Sequence, residues 1–179
     1  MPFPTLWDDD RLVWRLPMRA DAPAPDGPGI DPPAAWVRAL AAVARDLRCL
    51  RHGRDVAVDR LVWNLAITGE YHVIVGWERG RGIGEFGIGH GLTMDAGYGA
   101  AAVWVADVVQ GRLGGYEFVQ WPSSGFHLLV PRLVGSAPVW VDPHTGAAIG
   151  PLGELCAHAD RWDGGPPSRR ARRRAGEQG

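Results

Sequence analysis

The residues best suited by type to do chemistry gather in and just after one glycine-rich stretch, residues 79–91 (RGRGIGEFGIGHG). His90 lies there between two glycines, with Glu85 before it and Asp95 after it. An imidazole oriented by a carboxylate is a minimal acid–base pair, because the carboxylate holds the ring and favours its charged form. If the chain is an enzyme, His90 with Asp95 or Glu85 is its catalytic candidate, and the glycines would let the backbone approach a ligand closely. The competing reading is an exposed loop histidine, since Gly89 and Gly91 make the backbone around His90 costly to fix.

The same stretch contains Gly82-Ile83-Gly84-Glu85-Phe86-Gly87, a match to G-x-G-x-x-G. A dinucleotide fingerprint needs a helix starting at that turn, so that its free N–H groups face the pyrophosphate. Here Ile88-Gly89-His90-Gly91 follows, a poor helix start, and no second βαβ unit comes after it. The run reads as a glycine-rich bend, and no cofactor is expected.

The other constellations are weaker. The six histidines (His52, His72, His90, His127, His144 and His158) include no i, i+4 pair on a helix and no H-x-H, and neither cysteine has a C-x-x-C partner. No metal site is expected. Ser123 and Ser124, close to His127, lie between two expected strands, whereas a nucleophile elbow joins a strand to a helix, so this segment reads as a turn. Glu78, Glu85 and Asp142 show no spacing that makes a carboxylate pair. Cys49 and Cys156 sit among apolar neighbours and read as buried free thiols of a reducing compartment.

These residues must be positioned by a chain of 179 residues, 46% apolar, enough for one core. All its basic residues are Arg, and with abundant Ala, Gly and Pro this reads as high-GC coding bias. Residues 1–167 hold 14 Arg against 19 acids, while Arg169, Arg170, Arg172, Arg173 and Arg174 crowd the tail. An acidic body argues against a nucleic-acid surface, and the tail, the one candidate for such contact, has no aromatic to stack on bases. The start of the chain, MPFPTLWDDD, lacks a signal-peptide pattern, and no apolar run nears the roughly 20 residues of a membrane span, so a cytoplasmic location is expected.

Residues 1–30 read as an apolar segment, with an edge strand near residues 12–16, followed by a Pro/Gly-rich linker. Asp31 before Pro32-Pro33 reads as a helix cap. Trp36, Leu40, Val43, Leu47 and Leu50 recur at helical spacing opposite Arg38, Arg45, Arg48 and Arg51, which gives an amphipathic helix over 33–51. Alternation over 56–77 gives a β-hairpin turning at Thr68-Gly69-Glu70. Asp95 is expected to cap a mostly buried helix over 96–113 that includes Trp104. Strands follow over 116–121, 126–130, 138–141 and 147–149, then a short helix marked by Leu152, Leu155 and Cys156, and residues 163–179 read as a disordered Arg-rich tail. Nine Trp are present. Trp36, Trp63, Trp77 and Trp104 fall in apolar phases, while Trp7, Trp14 and Trp162 read either as clasps on the domain or as anchors for a partner.

Ala106-Asp107-Val108-Val109-Gln110, Trp121-Pro122, Trp140, Asp142-Pro143, Gly146, Ile149-Gly150 and Leu152 together resemble a pattern in uncharacterised proteins of high-GC actinobacteria. The resemblance covers residues 102–152. It implies an actinobacterial source and no known activity. Those relatives follow Trp-Pro with Cys-Pro-x-His, where this chain has Ser123-Ser124-Gly125-Phe126-His127, which puts in doubt the metal role such a cysteine would suggest.

The expected architecture over 31–162 is α+β, one layer of mostly antiparallel sheet packed with two main helices. By elimination the expected function is a non-catalytic protein-binding, adaptor or regulatory module, a class that includes immunity proteins. The alternative is a small enzyme with its pocket under loop 79–95. A protein partner is expected, and a membrane is not.

Overall fold

A computed structural model describes residues 11–19, 26–89, 91–124 and 127–162. Trp7, His90 and the Arg-rich tail lie outside these residues. In order, the chain forms β1 (Leu12–Pro17), α1 (Ala34–Asp46), β2 (His52–Gly53), a 3-10 turn (Val58–Arg60), β3 (Val62–Ile67), β4 (Val73–Trp77), β5 (Phe86–Ile88) and α2 (Tyr98–Tyr116). There follow β6 (Val119–Gln120), β7 (Ser123–Ser124), β8 (His127–Leu128), β9 (Val130–Val134), β10 (Ala137–Val141), β11 (Ala148–Pro151) and α3 (Leu155–Trp162). The class is α+β, as the hairpin-rich pattern implies. Its strands divide into an antiparallel sheet ordered β1-β3-β4-β5, a second ordered β11-β10-β9, and two short ladders, β2-β6 and β7-β8.

The hairpin forms because alternate residues of β3 and β4 are large and apolar. Trp63 pairs with Trp77, Leu65 with Val75 and Ile67 with Val73, while β1 adds Leu16 opposite Trp63 and Trp14 opposite Leu65. These side chains share one face, and they join Trp36, Leu40, Val43 and Leu47 of α1 and Ala102, Val105, Val109 and Leu113 of α2 in one core. Trp14 acts as a clasp: its indole is buried and donates to Ile30 O at 2.8 Å, fastening the end of the linker to β1. Gly76 is required in β4, since a Cβ there would stand 1.9 Å from Phe86 O on β5.

Helix boundaries differ from expectation for local reasons. Neither Asp31 nor Asp95 caps a helix: α1 follows Pro33 and α2 follows Gly97, and neither residue makes a side-chain cap bond. Asp95 instead accepts a hydrogen bond from the Thr93 hydroxyl. α1 stops at Asp46 and not near 51: beyond Leu47 the bonds tighten to Arg48 N–H on Arg45 O and Cys49 N–H on Asp46 O, and Leu50 then takes a left-handed backbone (φ 52°) that turns the chain into β2. α2 runs on through Gly114-Gly115 to Tyr116, past the expected end at 113 and into the first residue of the expected strand. It is buried along a stripe through Ala101, Val105, Val109 and Leu113 rather than around most of its girth, and Trp104 is half-buried, edge-on to Trp36 at 5.7 Å.

The cysteines are not free thiols. Cys49, just past α1, and Cys156, in the first turn of α3, form a disulfide with Cα atoms 5.5 Å apart. They are 107 residues apart in sequence, and only the packing of α3 against α1 brings them together.

Asp46 ends α1 with 0% exposure. Its carboxylate accepts from the Trp140 indole (2.7 Å) and from the backbone N–H groups of Gly153 (2.7 Å) and Leu155 (2.9 Å), while its carbonyl accepts from the Trp121 indole (3.0 Å). Leu155 N–H is one of the donors that the start of α3 leaves without an intrahelical acceptor, so Asp46 caps one helix from the end of another. Arg45 adds a bond from its Nε to Gly153 O.

Burial pushes the Asp46 carboxyl above its ordinary value, opposed by the Trp140, Gly153 and Leu155 donors and by Arg45. A group whose pKa is raised on folding stabilises most below its unfolded value, and that contribution is lost as pH rises through the folded value. Asp46→Asn places an amide donor against N–H donors and is expected to cost about 2–4 kcal/mol. The gap between wild type and variant should narrow as pH rises from about 4 through the raised pKa, as urea unfolding across pH would show. Trp36→Ala should cost about 3–5 kcal/mol and exceed Trp104→Ala, because Trp36 is fully buried and Trp104 is not. Denaturant midpoints of the two variants check the order.

Candidate functional site: an arginine-lined cavity and an aromatic ledge

The residues singled out in the glycine-rich stretch are described only in part. Glu85 and Asp95 are both exposed and share no hydrogen bond with each other, and His90 lies outside the described residues. The stretch itself makes a tight turn, with Gly80 bridging Ile83, and then the edge strand β5. No helix starts among its described residues. Ser123 is buried and pairs with Leu128 in the β7-β8 ladder, Ser124 pairs with His127, and Ser123 N–H donates to Leu50 O. His127 and His144, 17 positions apart, meet with ring centroids 4.1 Å apart. Among the described residues no third ligand completes a metal-binding group with them. Hydrogen bonds from His144 N–H and the Thr145 hydroxyl hold the Asp142 carboxyl below its ordinary value and shape that turn.

A site that sequence reasoning missed lies where α1 gives way to β2. A cavity of about 240 Å3 is lined there by Arg48, Cys49, Leu50, Arg51, Arg54 and Asp55, with Gly53. Arg51 is fixed by a bond from Nη1 to Val56 O (2.9 Å), and Arg48 stands 4.0 Å from Asp59. Arg54 reaches across to the end of α2, where Glu117 is 3% exposed. The Glu117 carboxylate pairs with Arg54 and with Arg112 (3.0 Å) and accepts from Gly84 N–H (3.0 Å), and its carbonyl accepts from Arg54 Nε (3.1 Å). One buried acid thus ties the glycine-rich turn, the end of α2 and the segment after β2 together.

On either side of Glu117 stand two large exposed aromatics, Tyr116 (69%) and Phe118 (76%). Phe118 has φ 55°, a left-handed conformation that disfavours any residue but glycine, asparagine or aspartate. It is held so because Gly53 pairs with Val119 and Arg54 N–H donates to Phe118 O (3.3 Å). Arg112 lies over the Tyr116 ring at 4.6 Å. Leu50 and Phe118, two of the three non-glycine residues with positive φ among those described, both flank this region. Backbone strain of this kind concentrates at functional sites.

Comparison with known proteins adds no relative: no family model, curated protein or solved structure matches the chain. Among the described residues no helix is long and apolar enough to cross a membrane.

Two substitutions probe this region. Glu117→Ala removes the shared partner of Arg54 and Arg112 and the acceptor of Gly84 N–H, and should cost about 1–3 kcal/mol in chemical denaturation, since both guanidinium groups keep access to water. Phe118→Gly should be about 1 kcal/mol more stable than Phe118→Ala, since only glycine takes φ 55° without steric cost.

Proposed function

We propose that the chain is a non-catalytic protein-binding module, adaptor or regulatory in role, whose contact surface is the ledge of Tyr116 and Phe118. The observation that carries this reading is Phe118: an aromatic ring with three quarters of its surface exposed, on a left-handed backbone fixed by the β2-β6 ladder and the buried Glu117. A ring that lies outside the core but stands on a fixed backbone has part of its ordering cost met before binding. Aromatic and arginine side chains are the types enriched in the energetic centres of interfaces, and here Arg54 and Arg112 stand beside the two rings.

A cytoplasmic location belongs to the same proposal and carries a condition. In a reducing compartment a disulfide is a transient, redox-responsive bond rather than a permanent staple.

The test begins by capturing partners on the wild-type chain and purifying one that binds directly. Its affinity is then measured by calorimetry. Phe118→Ala should weaken binding by about tenfold or more while the thermal midpoint moves little, because the ring buries almost nothing within the chain. An unchanged affinity with Phe118→Ala and Tyr116→Ala together would remove the ledge from the interface.

A further inference from the structure

The disulfide and the arginines share one place. Cys49, half-buried, lines the cavity that Arg48, Arg51 and Arg54 also line, and Cys156 on the other side of the bond is exposed. Guanidinium groups stay protonated at any working pH, and although Arg54 shares Glu117 with Arg112 and Arg48 stands 4.0 Å from Asp59, three arginines face Cys49 against Asp55, the one acid in the lining. Thiol–disulfide exchange is carried out by a thiolate, an anion, whose local concentration a positive cavity raises. The surroundings also accommodate the reduced form. Cys156 Sγ lies 3.3 Å from Arg45 O and Cys49 Sγ 3.5 Å from Asp46 O, so each thiol, once the sulfurs have parted, has a carbonyl acceptor close by. The bonds from Gly153 and Leu155 to Asp46 hold the start of α3 on α1 whether or not the sulfurs are joined.

We propose that this cavity admits a small anionic thiol, which reversibly reduces the Cys49–Cys156 disulfide by exchange. The incoming thiolate attacks Cys49 Sγ. A new S–S bond forms to Cys49 as the bond to Cys156 breaks, and the electron pair stays on Cys156 Sγ, which takes a proton from solvent. A second thiolate then attacks the sulfur of the bound thiol, releasing Cys49 as a thiolate that is protonated in turn. Two small thiols are oxidised to their own disulfide, and the chain gains the two electrons as a pair of cysteine thiols. The cavity, at about 240 Å3, suits a low-molecular-weight thiol rather than a folded reductant.

The experiment uses the full chain, purified oxidised, and three thiols alike in size but different in charge: 3-mercaptopropionate, 2-mercaptoethanol and cysteamine. Each reduction rate is followed by mass spectrometry and divided by that thiol's rate with bis(3-hydroxypropyl) disulfide, a neutral disulfide that none of the three thiols forms, which removes differences in thiol pKa and nucleophilicity. The normalised rate should be about tenfold higher for 3-mercaptopropionate than for 2-mercaptoethanol, and lowest for cysteamine. That preference should fall to about twofold or less in roughly 0.5 M NaCl, where screening is strong, and in the Arg48→Gln/Arg51→Gln variant. The first adduct should map to Cys49. Salt dependence of the wild type keeps the test decisive if the double variant does not fold. Equal normalised rates for the three thiols, a preference indifferent to salt, a first adduct on Cys156, or a pair of cysteines that no disulfide oxidant can join in the folded chain would each overturn the proposal.

Discussion

The Asp46 carboxylate joins the beginning of the domain to its end. It stands at the last residue of α1, fully out of water, and its partners come from β10, from the turn before α3 and from α3 itself. A buried carboxylate left without donors is among the costliest defects a core can carry, so those donors must converge if α1 is to pack at all. Two further features follow from that convergence. Trp121 and Trp140 meet edge to face at 5.2 Å because both indoles donate to the same residue. Gly153 must be glycine, since its φ is 94° and a Cβ would press on Ala42 and Arg45.

Glu117 plays the corresponding part at the other end of the helical pair, with different chemistry. Asp46 is satisfied by neutral N–H dipoles, whereas Glu117 is satisfied mainly by two guanidinium groups. The first arrangement organises a dry junction of helix and strand. The second organises a boundary with solvent, where Arg54 and Arg112 remain partly exposed and the neighbouring rings project outward.

Much of the fold was legible because it rests on short-range periodicity. The spacing of Trp36, Leu40, Val43 and Leu47 specifies α1, and the alternation on both sides of Thr68-Gly69-Glu70 specifies the hairpin, down to Trp63 facing Trp77. The site was not legible, because it is made of contacts between distant residues. Asp46 did leave a signal: it falls three residues after Val43, in the apolar phase of the helix, where a charged residue needs a buried partner. Glu117 left none, as it follows Gly114-Gly115-Tyr116 in a run that reads equally well as strand. The cysteines misled because apolar neighbours suit a free thiol and a disulfide alike, and a separation of 107 residues says nothing about proximity. Asp31 and Asp95 carried sound capping chemistry, but proline in one case and glycine in the other already set the backbone where the helix begins.

The wiring of Asp46 also bears on the order in which the protein can be made. A ribosome delivers α1 early, yet Trp121, Trp140, Gly153 and Leu155, which answer the backbone and side chain of Asp46, follow 75 to 109 residues later. Until they emerge, the end of α1 must stay in water, for burying it alone would strand a charge. The nascent hairpin can assemble locally, but the helix that covers the core waits for almost the last turn of the chain. A fragment ending before β10 would therefore hold most of the apolar residues of this core and still lack the means to close it.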